Sequence, residues 1–218
     1  ITETSTGRAM ENQRRRSIFF LVFATFFFFF TTCFSQEPAP EPTSNTLDLT
    51  YIKSSCETTQ FPSVCYQSLY RYADVVQQDS GRLATAAMAL SLSRTTRLSS
   101  YLYNVSNHSS LVADHLVPSA LNDCISNVDD AIEQIKSSLK QMKDASSSTA
   151  INEFRFEMSN VQTWMSAALT DQETCTDGFD GITDWPQKTA VFDQVGKVKK
   201  FTSNALALVN NYAHSKTT

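Results

Sequence analysis

Residues 120–143 read ALNDCISNVDDAIEQIKSSLKQMK, and the spacing of their apolar side chains decides the fold class. The apolar positions follow one another at intervals of 4, 3, 4, 3, 4 and 3 residues, and they are Leu121, Ile125, Val128, Ile132, Ile135, Leu139 and Met142. This heptad pattern places one apolar stripe along a long α-helix. A single stripe is stable only when other helices cover it, so the stretch predicts a helical bundle.

Two later segments repeat this spacing, and one earlier segment shows a looser version of it. The segment that follows carries Ile151, Phe154, Met158, Val161, Met165 and Ala168. The last segment carries Val191, Val195, Val198, Thr202, Ala205, Val209 and Tyr212. Residues 83–105 have apolar side chains at looser helical spacing and contain no Gly or Pro. Four long helices with short connections favour an all-α, up-down-up-down four-helix bundle over residues 79–214. Residues 47–77, interrupted at Pro62, predict a helical hairpin ahead of it.

The composition excludes several classes of protein. The 218 residues include 41% apolar and 18% charged side chains and only five Gly, which excludes collagen-like, fibrous and wholly disordered chains. Eighteen basic against 22 acidic side chains give a formal net charge of −4. Nucleic-acid-binding domains usually carry a basic surface, so nucleic acid is not an expected partner.

The N-terminal region is predicted to be targeting and linker sequence. Three arginines, Arg14 to Arg16, precede a 13-residue apolar run from Ile18 to Phe30. That run fits a signal peptide and falls short of the ~20 residues of a membrane-spanning helix. The predicted segments are a leader before the start Met10 (1–9), a signal peptide cleaved after Ser35 (10–35), a Pro-rich linker (36–46) and a folded domain (47–214). An uncleaved N-terminal anchor is the alternative.

Cleavage predicts a secreted, extracellular protein without membrane attachment. Removing residues 1–35 leaves 14 basic and 20 acidic side chains, a net charge of −6. Four cysteines remain, and an even number in a secreted chain predicts two disulfides. Cys124 lies near the start of the second bundle helix and Cys175 near the end of the third, and antiparallel helices bring those ends together. Of the three possible pairings we therefore predict Cys56 with Cys65 and Cys124 with Cys175.

No motif indicates catalysis or cofactor binding. The chain contains no G-x-S-x-G sequence, no P-loop and no dinucleotide-binding fingerprint. His108, His115 and His214 are its only histidines, and each cysteine of the secreted chain is assigned to a disulfide. We therefore expect no catalytic residue, no metal and no cofactor, and a protein that is not an enzyme.

One face of the second bundle helix is the main candidate for binding a partner. Ser126, Asp130 and Glu133 are spaced to share that face, and Thr174 and Asp177 lie beside the second predicted disulfide. A basic or polar partner would be steered to these groups. The alternative is an ordinary solvated face, since acidic residues early in a helix and lysines late in it complement the helix dipole.

Two N-glycosylation sequons lie near the end of the first bundle helix. They are Asn104-Val105-Ser106 and Asn107-His108-Ser109, and a secreted chain can carry sugar at both asparagines. The alternative is a polar helix end without sugar.

Five short stretches match a known family. They read IKSSC (52–56), FPSVC (61–65), ALNDC (120–124), NVQTWMSAALT (160–170) and TC (174–175). Through them the chain resembles the plant invertase and pectin methylesterase inhibitor family over residues 47–213. The resemblance implies a four-helix bundle with an N-terminal helical hairpin, and disulfides that join the first cysteine to the second and the third to the fourth.

Members of this family inhibit either pectin methylesterase or acid invertase. Invertase inhibitors typically carry Pro-Lys-Phe at the start of the third bundle helix, whereas this chain has Phe154-Arg155-Phe156 there and no Pro. The chain is therefore most similar to the pectin methylesterase inhibitors. Invertase inhibition is the alternative, and a non-inhibitory binding protein built on the same bundle is a further one.

The resemblance implies a secreted inhibitor of the plant cell wall that is a monomer when free. It implies a one-to-one complex in which bundle helices two and three cover the pectin-binding cleft of pectin methylesterase. Asp130, Glu133, Thr174 and Asp177 match contacting positions of the family, and Ser126 is added to them. Affinity is then expected to depend on pH in the cell-wall range.

Overall fold

The computed structural model describes residues 44–109 and 116–217, and most of these residues are helical. The predicted leader (1–9) and signal peptide (10–35) lie outside the described residues. So does the predicted linker, apart from Ser44–Thr46. None of the helices in the described ranges is long and apolar enough to cross a membrane.

Four long helices and a shorter N-terminal helical segment make up the described fold. The α-helices are α1 (Ser44–Glu57), α2 (Pro62–Leu69), α3 (Ala73–Val76), α4 (Ser80–Ser109), α5 (Leu116–Ser147), α6 (Ile151–Thr174) and α7 (Lys188–Thr217). Short 3-10 turns lie at Tyr70–Tyr72 and Asp177–Phe179. Each of the long helices α4 to α7 packs against the next, and α7 packs back against α4. The predicted all-α four-helix bundle with an N-terminal hairpin is confirmed.

Neighbouring bundle helices are antiparallel, as the side-chain contacts between α5 and α6 illustrate. The amide Nε2 of Gln134 donates to Oδ2 of Asp171 at 2.8 Å. Further along α5, the Gln141 amide donates to the Glu157 carboxylate. Residue numbers thus rise along one helix and fall along the other.

Helix boundaries differ from the predictions at a few positions. Helix α1 begins at Ser44, inside the predicted linker, because no proline after Pro42 blocks a helix there. The spacing places Ile151 in the apolar stripe of the third bundle helix, but Ile151 is the first residue of α6 and is 46% exposed. The buried stripe of α6 starts instead at Phe154, one turn further into the helix.

The bundle core consists of two apolar clusters. One lies at the hairpin end and includes Leu83, Met88, Ile135, Met142, Met158 and Val209. The other surrounds the second disulfide and includes Leu98, Leu121, Val128, Phe179, Trp185 and Val195. Most positions of the predicted stripes are therefore buried, which accounts for the stability of the long helices.

A layer of buried polar side chains lies between these clusters. Ser91 Oγ and Thr202 Oγ1 share a hydrogen bond with 2.8 Å between the oxygens. Thr95 Oγ1 donates to the Ser91 carbonyl at 2.9 Å, and Gln172 Nε2 donates to Thr95 Oγ1 at 3.0 Å. The four side chains are fully buried, and within the described ranges the Gln172 Oε1 atom has no hydrogen-bond partner. The layer joins α4, α6 and α7.

The N-terminal hairpin is attached to α7 by one buried asparagine. The disulfide Cys56–Cys65 joins α1 to α2, as predicted, with 5.5 Å between the Cα atoms. In the turn between them, the Phe61 N–H donates to Asn204 Oδ1 at 3.0 Å, and Asn204 Nδ2 donates to the Phe61 carbonyl at 2.9 Å. Asn211 adds a more exposed hydrogen bond from α7 to Thr58, at 2.8 Å.

Candidate partner-binding face

The second disulfide fixes one end of the α5–α6 pair. Cys124 and Cys175 are bonded as predicted, both are buried, and their Cα atoms lie 3.9 Å apart. The segment after Cys175 is held against the core by Phe179, whose ring stacks on Trp185 with 5.3 Å between centroids. Lys188 Nζ donates to the Phe179 carbonyl at 2.9 Å and so closes this segment. The disulfide, the stacked rings and this hydrogen bond therefore hold the segment after Cys175 against the bundle.

Three predicted binding residues lie on the outward face of α5. Ser126, Asp130 and Glu133 are exposed and fall within about 60° of arc at 100° per residue. Val128 and Ile135 are buried on the opposite side of the helix. The Glu133 carboxylate contacts Lys136 Nζ at 2.7 Å, but both side chains are more than half exposed. An exposed pair of this kind contributes little to stability, so Glu133 remains available to a partner.

The other two predicted residues flank Cys175. Thr174 is the last residue of α6, and its hydroxyl donates to the Thr170 carbonyl at 3.0 Å. Asp177 begins the following 3-10 turn, and both residues are exposed. Because Cys175 is bonded to Cys124, they lie at the same end of the helix pair as Ser126. We call the exposed surface of Ser126, Asp130, Glu133, Thr174 and Asp177 the α5–α6 face.

The outward side of α6 extends this face with small hydroxyl residues that the sequence predictions did not include. Thr163, Ser166, Thr170 and Thr174 are exposed and follow one another at helical spacing. The Thr163 and Thr170 hydroxyls donate to carbonyls four residues back in the helix, at 2.8 and 3.1 Å. In the sequence, their spacing of three and four residues is the signal that could have predicted a shared face of one helix. They give α6 an uncharged surface of short side chains, which a partner can approach closely.

The surroundings of the α5–α6 face are acidic. Residues 116–135 and 164–187 contain nine carboxylates and no Lys or Arg, although Lys136 and Lys199 pair with two of the nine, Glu133 and Glu173. The nine are Asp123, Asp129, Asp130, Glu133, Asp171, Glu173, Asp177, Asp180 and Asp184. Nowhere in the described part of the chain do three or more His, Cys, Asp or Glu side chains form a group that could hold a metal ion. The surface suits a partner that presents cations or hydrogen-bond donors.

Three of these carboxylates bind residues on other helices of the protein. Asp129 accepts hydrogen bonds from Ser99 Oγ at 2.7 Å and from the Tyr103 hydroxyl at 2.9 Å, which joins α5 to α4. The Asp129 carboxylate raises the pKa of Tyr103, through the hydrogen bond and then through charge repulsion. Asp171 accepts from Gln134, and Glu173 lies 3.4 Å from Lys199 Nζ. Asp130 differs from its neighbour Asp129 because it points outward.

The predicted glycosylation sites lie at the end of α4. The Asn104 and Asn107 side chains are exposed, which sugar attachment requires. The Ser109 hydroxyl of the second sequon is buried and donates to the Val105 carbonyl at 2.8 Å. Glycosylation at these two positions stays a prediction.

Residues 154–156 lie near the start of α6. The Phe154 ring is buried edge-to-face against Tyr212, with 5.5 Å between centroids. Arg155 is exposed, and Phe156 is 68% exposed. A basic and an aromatic side chain are thus both exposed near the start of α6.

Comparisons with known proteins identify a family and a matching fold. A family model described as plant invertase/pectin methylesterase inhibitor matches residues 50–208. The "21 kDa protein" of Daucus carota is 43% identical over 164 residues, which cover 75% of this chain and 83% of that protein. "Pectinesterase inhibitor 10" of Arabidopsis thaliana is 37% identical over 177 residues, which cover 79% of this chain and 54% of that protein. A mutant form of a pectin methylesterase inhibitor from Arabidopsis, solved by crystallography, shares the fold with a TM-score of 0.57 at 18% identity, over 73% of this chain and 95% of that one.

Proposed function

The chain belongs to the plant invertase/pectin methylesterase inhibitor family, and from this membership we propose that it inhibits pectin methylesterase by forming a one-to-one complex. In the complex the α5–α6 face covers the pectin-binding cleft of the enzyme and keeps pectin out. The inhibitor supplies no chemistry of its own. The observation that supports the proposal is that the five residues, at positions matching or adjoining the family's contacts, are all exposed, three on the outward face of α5 and two beside the disulfide that joins α5 to α6.

The architecture of this end suits occlusion. Association is weakened whenever a loop or side chain has to be ordered on binding. Here the disulfide and the packing of Phe179 on Trp185 order the end in advance. The short hydroxyl side chains of α6 allow close approach, and the carboxylates of α5 steer and orient a partner with cationic or donor groups. Stable occlusion therefore needs no rearrangement of the inhibitor.

We also propose that the inhibitor acts outside the cell, in the plant cell wall. Two disulfides are typical of proteins from oxidising compartments. The proposed organisation keeps the predicted boundaries: leader 1–9, signal peptide 10–35, linker 36–46 and inhibitor domain 47–214. The free inhibitor is proposed to be a monomer, with Asn104 and Asn107 as sugar acceptors.

The test is a titration of the oxidised chain Gln36–Thr218 into a plant pectin methylesterase assay at mildly acidic pH. We expect demethylation to be lost near one equivalent of inhibitor. The double substitution Asp130→Ala with Glu133→Ala is expected to weaken inhibition about tenfold, at roughly 0.7 kcal/mol for each partly exposed charged contact.

The matched control removes two carboxylates from the other end of the same helices. Asp144→Ala with Glu153→Ala changes the charge equally, and both side chains are exposed. It is expected to leave inhibition within about twofold, because exposed substitutions outside an interface change little. If Asp130→Ala with Glu133→Ala inhibits like the unchanged chain, the assignment of the face is wrong.

Invertase inhibition is the second candidate. Arg155 and Phe156 expose a basic and an aromatic side chain where invertase inhibitors carry Lys-Phe, but the missing proline counts against this function. An acid invertase assay run in parallel separates the two functions. Under the leading proposal sucrose hydrolysis continues at full rate. Loss of invertase activity that Phe156→Ala reverses, with demethylation untouched, would reassign the protein to the invertase inhibitors.

A further inference from the structure

A large groove lies on another side of the molecule from the α5–α6 face. It runs between the α2–α3 segment and the long helices α4 and α7, with a volume of about 1510 Å³. Apolar and aromatic side chains such as Leu90, Leu98, Tyr101 and Phe201 line part of it. From α5 only Met142 and Ser146 reach it, and no residue of the α5–α6 face lines it. The two surfaces can therefore be occupied independently.

The groove is strongly basic although the chain is acidic overall. Its lining includes four arginines, Arg71, Arg82, Arg94 and Arg97. It also includes three lysines, Lys197, Lys200 and Lys216, against one carboxylate, Asp79. Half of the 14 basic side chains beyond residue 35 thus gather here. Across 44–109 and 116–217, none of the seven forms an ion pair. Seven cations against a single lining carboxylate favour an anionic occupant.

The basic side chains are spread along the groove. On α4 alone they extend from Arg82 to Arg97, which at 1.5 Å per residue is about 22 Å. Arg94 lies over the Phe201 ring at 5.0 Å, and Lys200 lies over the Phe61 ring at 5.5 Å. A small anion would meet only one or two of these groups. A long, thin polyanion meets the whole row.

We propose that this groove binds a linear anionic polysaccharide, a run of uronic-acid sugars. Arginine pairs with carboxylates in a planar, two-point geometry, which suits a regular row of sugar carboxylates. Aromatic faces such as those of Tyr101 and Phe201 can pack against the C–H faces of sugar rings. Side chains such as Ser93 and Gln194 offer hydrogen bonds to sugar hydroxyls. Charge, shape and the mixed lining all fit an acidic carbohydrate chain.

The identity of the sugar chain rests on the proposed function. Hydrolysis of the methyl esters of pectin leaves free carboxylates on the polysaccharide. An inhibitor that binds this demethylated polysaccharide in its groove stays in regions where its target enzyme has already acted. The α5–α6 face stays free to bind the enzyme at the same time, because the groove shares no residue with it.

The experiment measures binding of the oxidised chain to a labelled oligogalacturonate at mildly acidic pH and low salt. A fully methyl-esterified oligomer of equal length is the neutral probe. We expect saturable binding of the acidic oligomer, at least about tenfold weaker binding of the ester, and loss of affinity as salt screens the charges. Absence of saturable binding, or equal affinity for the ester, overturns the proposal.

Two triple variants test whether oligomer binding depends on the groove or only on the net charge of the chain. Arg71→Gln, Arg97→Gln and Lys197→Gln replace three exposed lining residues, and together they should weaken oligomer binding about tenfold. The control replaces Lys53, Lys140 and Lys143 by Gln, which are exposed and lie outside the groove. It makes the same charge change and should bind within about twofold of the unchanged chain. Equal weakening by both triple variants overturns the proposal.

Further measurements distinguish this proposal from the proposed inhibitory function and from dimer formation. The groove variant should inhibit pectin methylesterase like the unchanged chain, and Asp130→Ala with Glu133→Ala should bind the oligomer like the unchanged chain. If the unchanged chain binds the oligomer but inhibits no methylesterase, the proposed function fails and the groove proposal stands. If sedimentation shows a dimer that the groove variant abolishes, and the oligomer does not compete with it, the occupant is a second copy and the proposal is wrong.

Discussion

Replacing Asn204 by alanine should weaken the attachment of the N-terminal hairpin to α7. The buried Asn204 side chain, 3% exposed, makes both a donor and an acceptor bond to the Phe61 peptide, at 2.9 and 3.0 Å. The substitution leaves the Phe61 N–H and carbonyl without these partners, and each such loss costs about 1–3 kcal/mol. Because the Phe61 groups are only partly buried, water can replace part of the loss. We therefore expect a total near the lower end, about 2–3 kcal/mol.

Thermal unfolding followed by circular dichroism measures this loss. For a domain of this size 1 kcal/mol shifts the Tm by roughly 2–4 °C, so the Tm of Asn204→Ala should fall by about 4–12 °C. Asn211→Ala is the matched control, since Asn211 is an exposed asparagine of α7 that also bonds the hairpin, at Thr58. Its Tm should fall by no more than about 2 °C. Equal Tm values for the two variants would refute the assignment of the attachment to Asn204.

Three other predictions concern the bundle. Replacing Cys124 and Cys175 together by serine opens a loop of 51 residues and should lower the free energy of unfolding by about 4 kcal/mol in urea titrations. Gln172→Met removes a buried, unpaired carbonyl oxygen but also the hydrogen bond to Thr95, and because the two effects oppose each other it should change that free energy by less than about 1 kcal/mol; a larger loss would contradict this. Asp129→Asn should lower the pKa of Tyr103 in an NMR titration of the tyrosine rings. Since a pKa raised by folding gives stability that is lost as pH rises through it, any contribution of this bond should vanish only in strong alkali.

Much of the fold follows from short-range patterns. Heptad spacing identifies Ile125, Ile132 and Val195 as core positions because a long helix buries whichever face is apolar. The pairing of Cys124 with Cys175 follows from the antiparallel order of the helices. Ile151 shows the limit of the pattern. Apolar spacing within one helix does not reveal whether a neighbouring helix extends far enough to cover the first residue.

The features that were not predicted depend on contacts between distant segments. Asn204 and Phe61 are 143 residues apart, and neither carries a local signal of their pairing. Asp129 and Asp130 are adjacent in sequence, yet only the packing of α4 shows that the first bonds Tyr103 and the second faces outward. The basic groove collects side chains from the hairpin, α4 and α7, so no single stretch of sequence reveals it.

The buried polar layer also has a consequence for how the helices are aligned along the bundle axis. A repeating apolar stripe alone would let a helix slide by one heptad, about 10 Å, and again meet apolar neighbours. Sliding α6 in this way would move Gln172 away from Thr95 and into a wholly apolar level, where its amide would have no partner. The layer therefore favours a single heptad register of α6. It keeps α6 at one height against α4 and α7, whatever substitutions the outer surface undergoes.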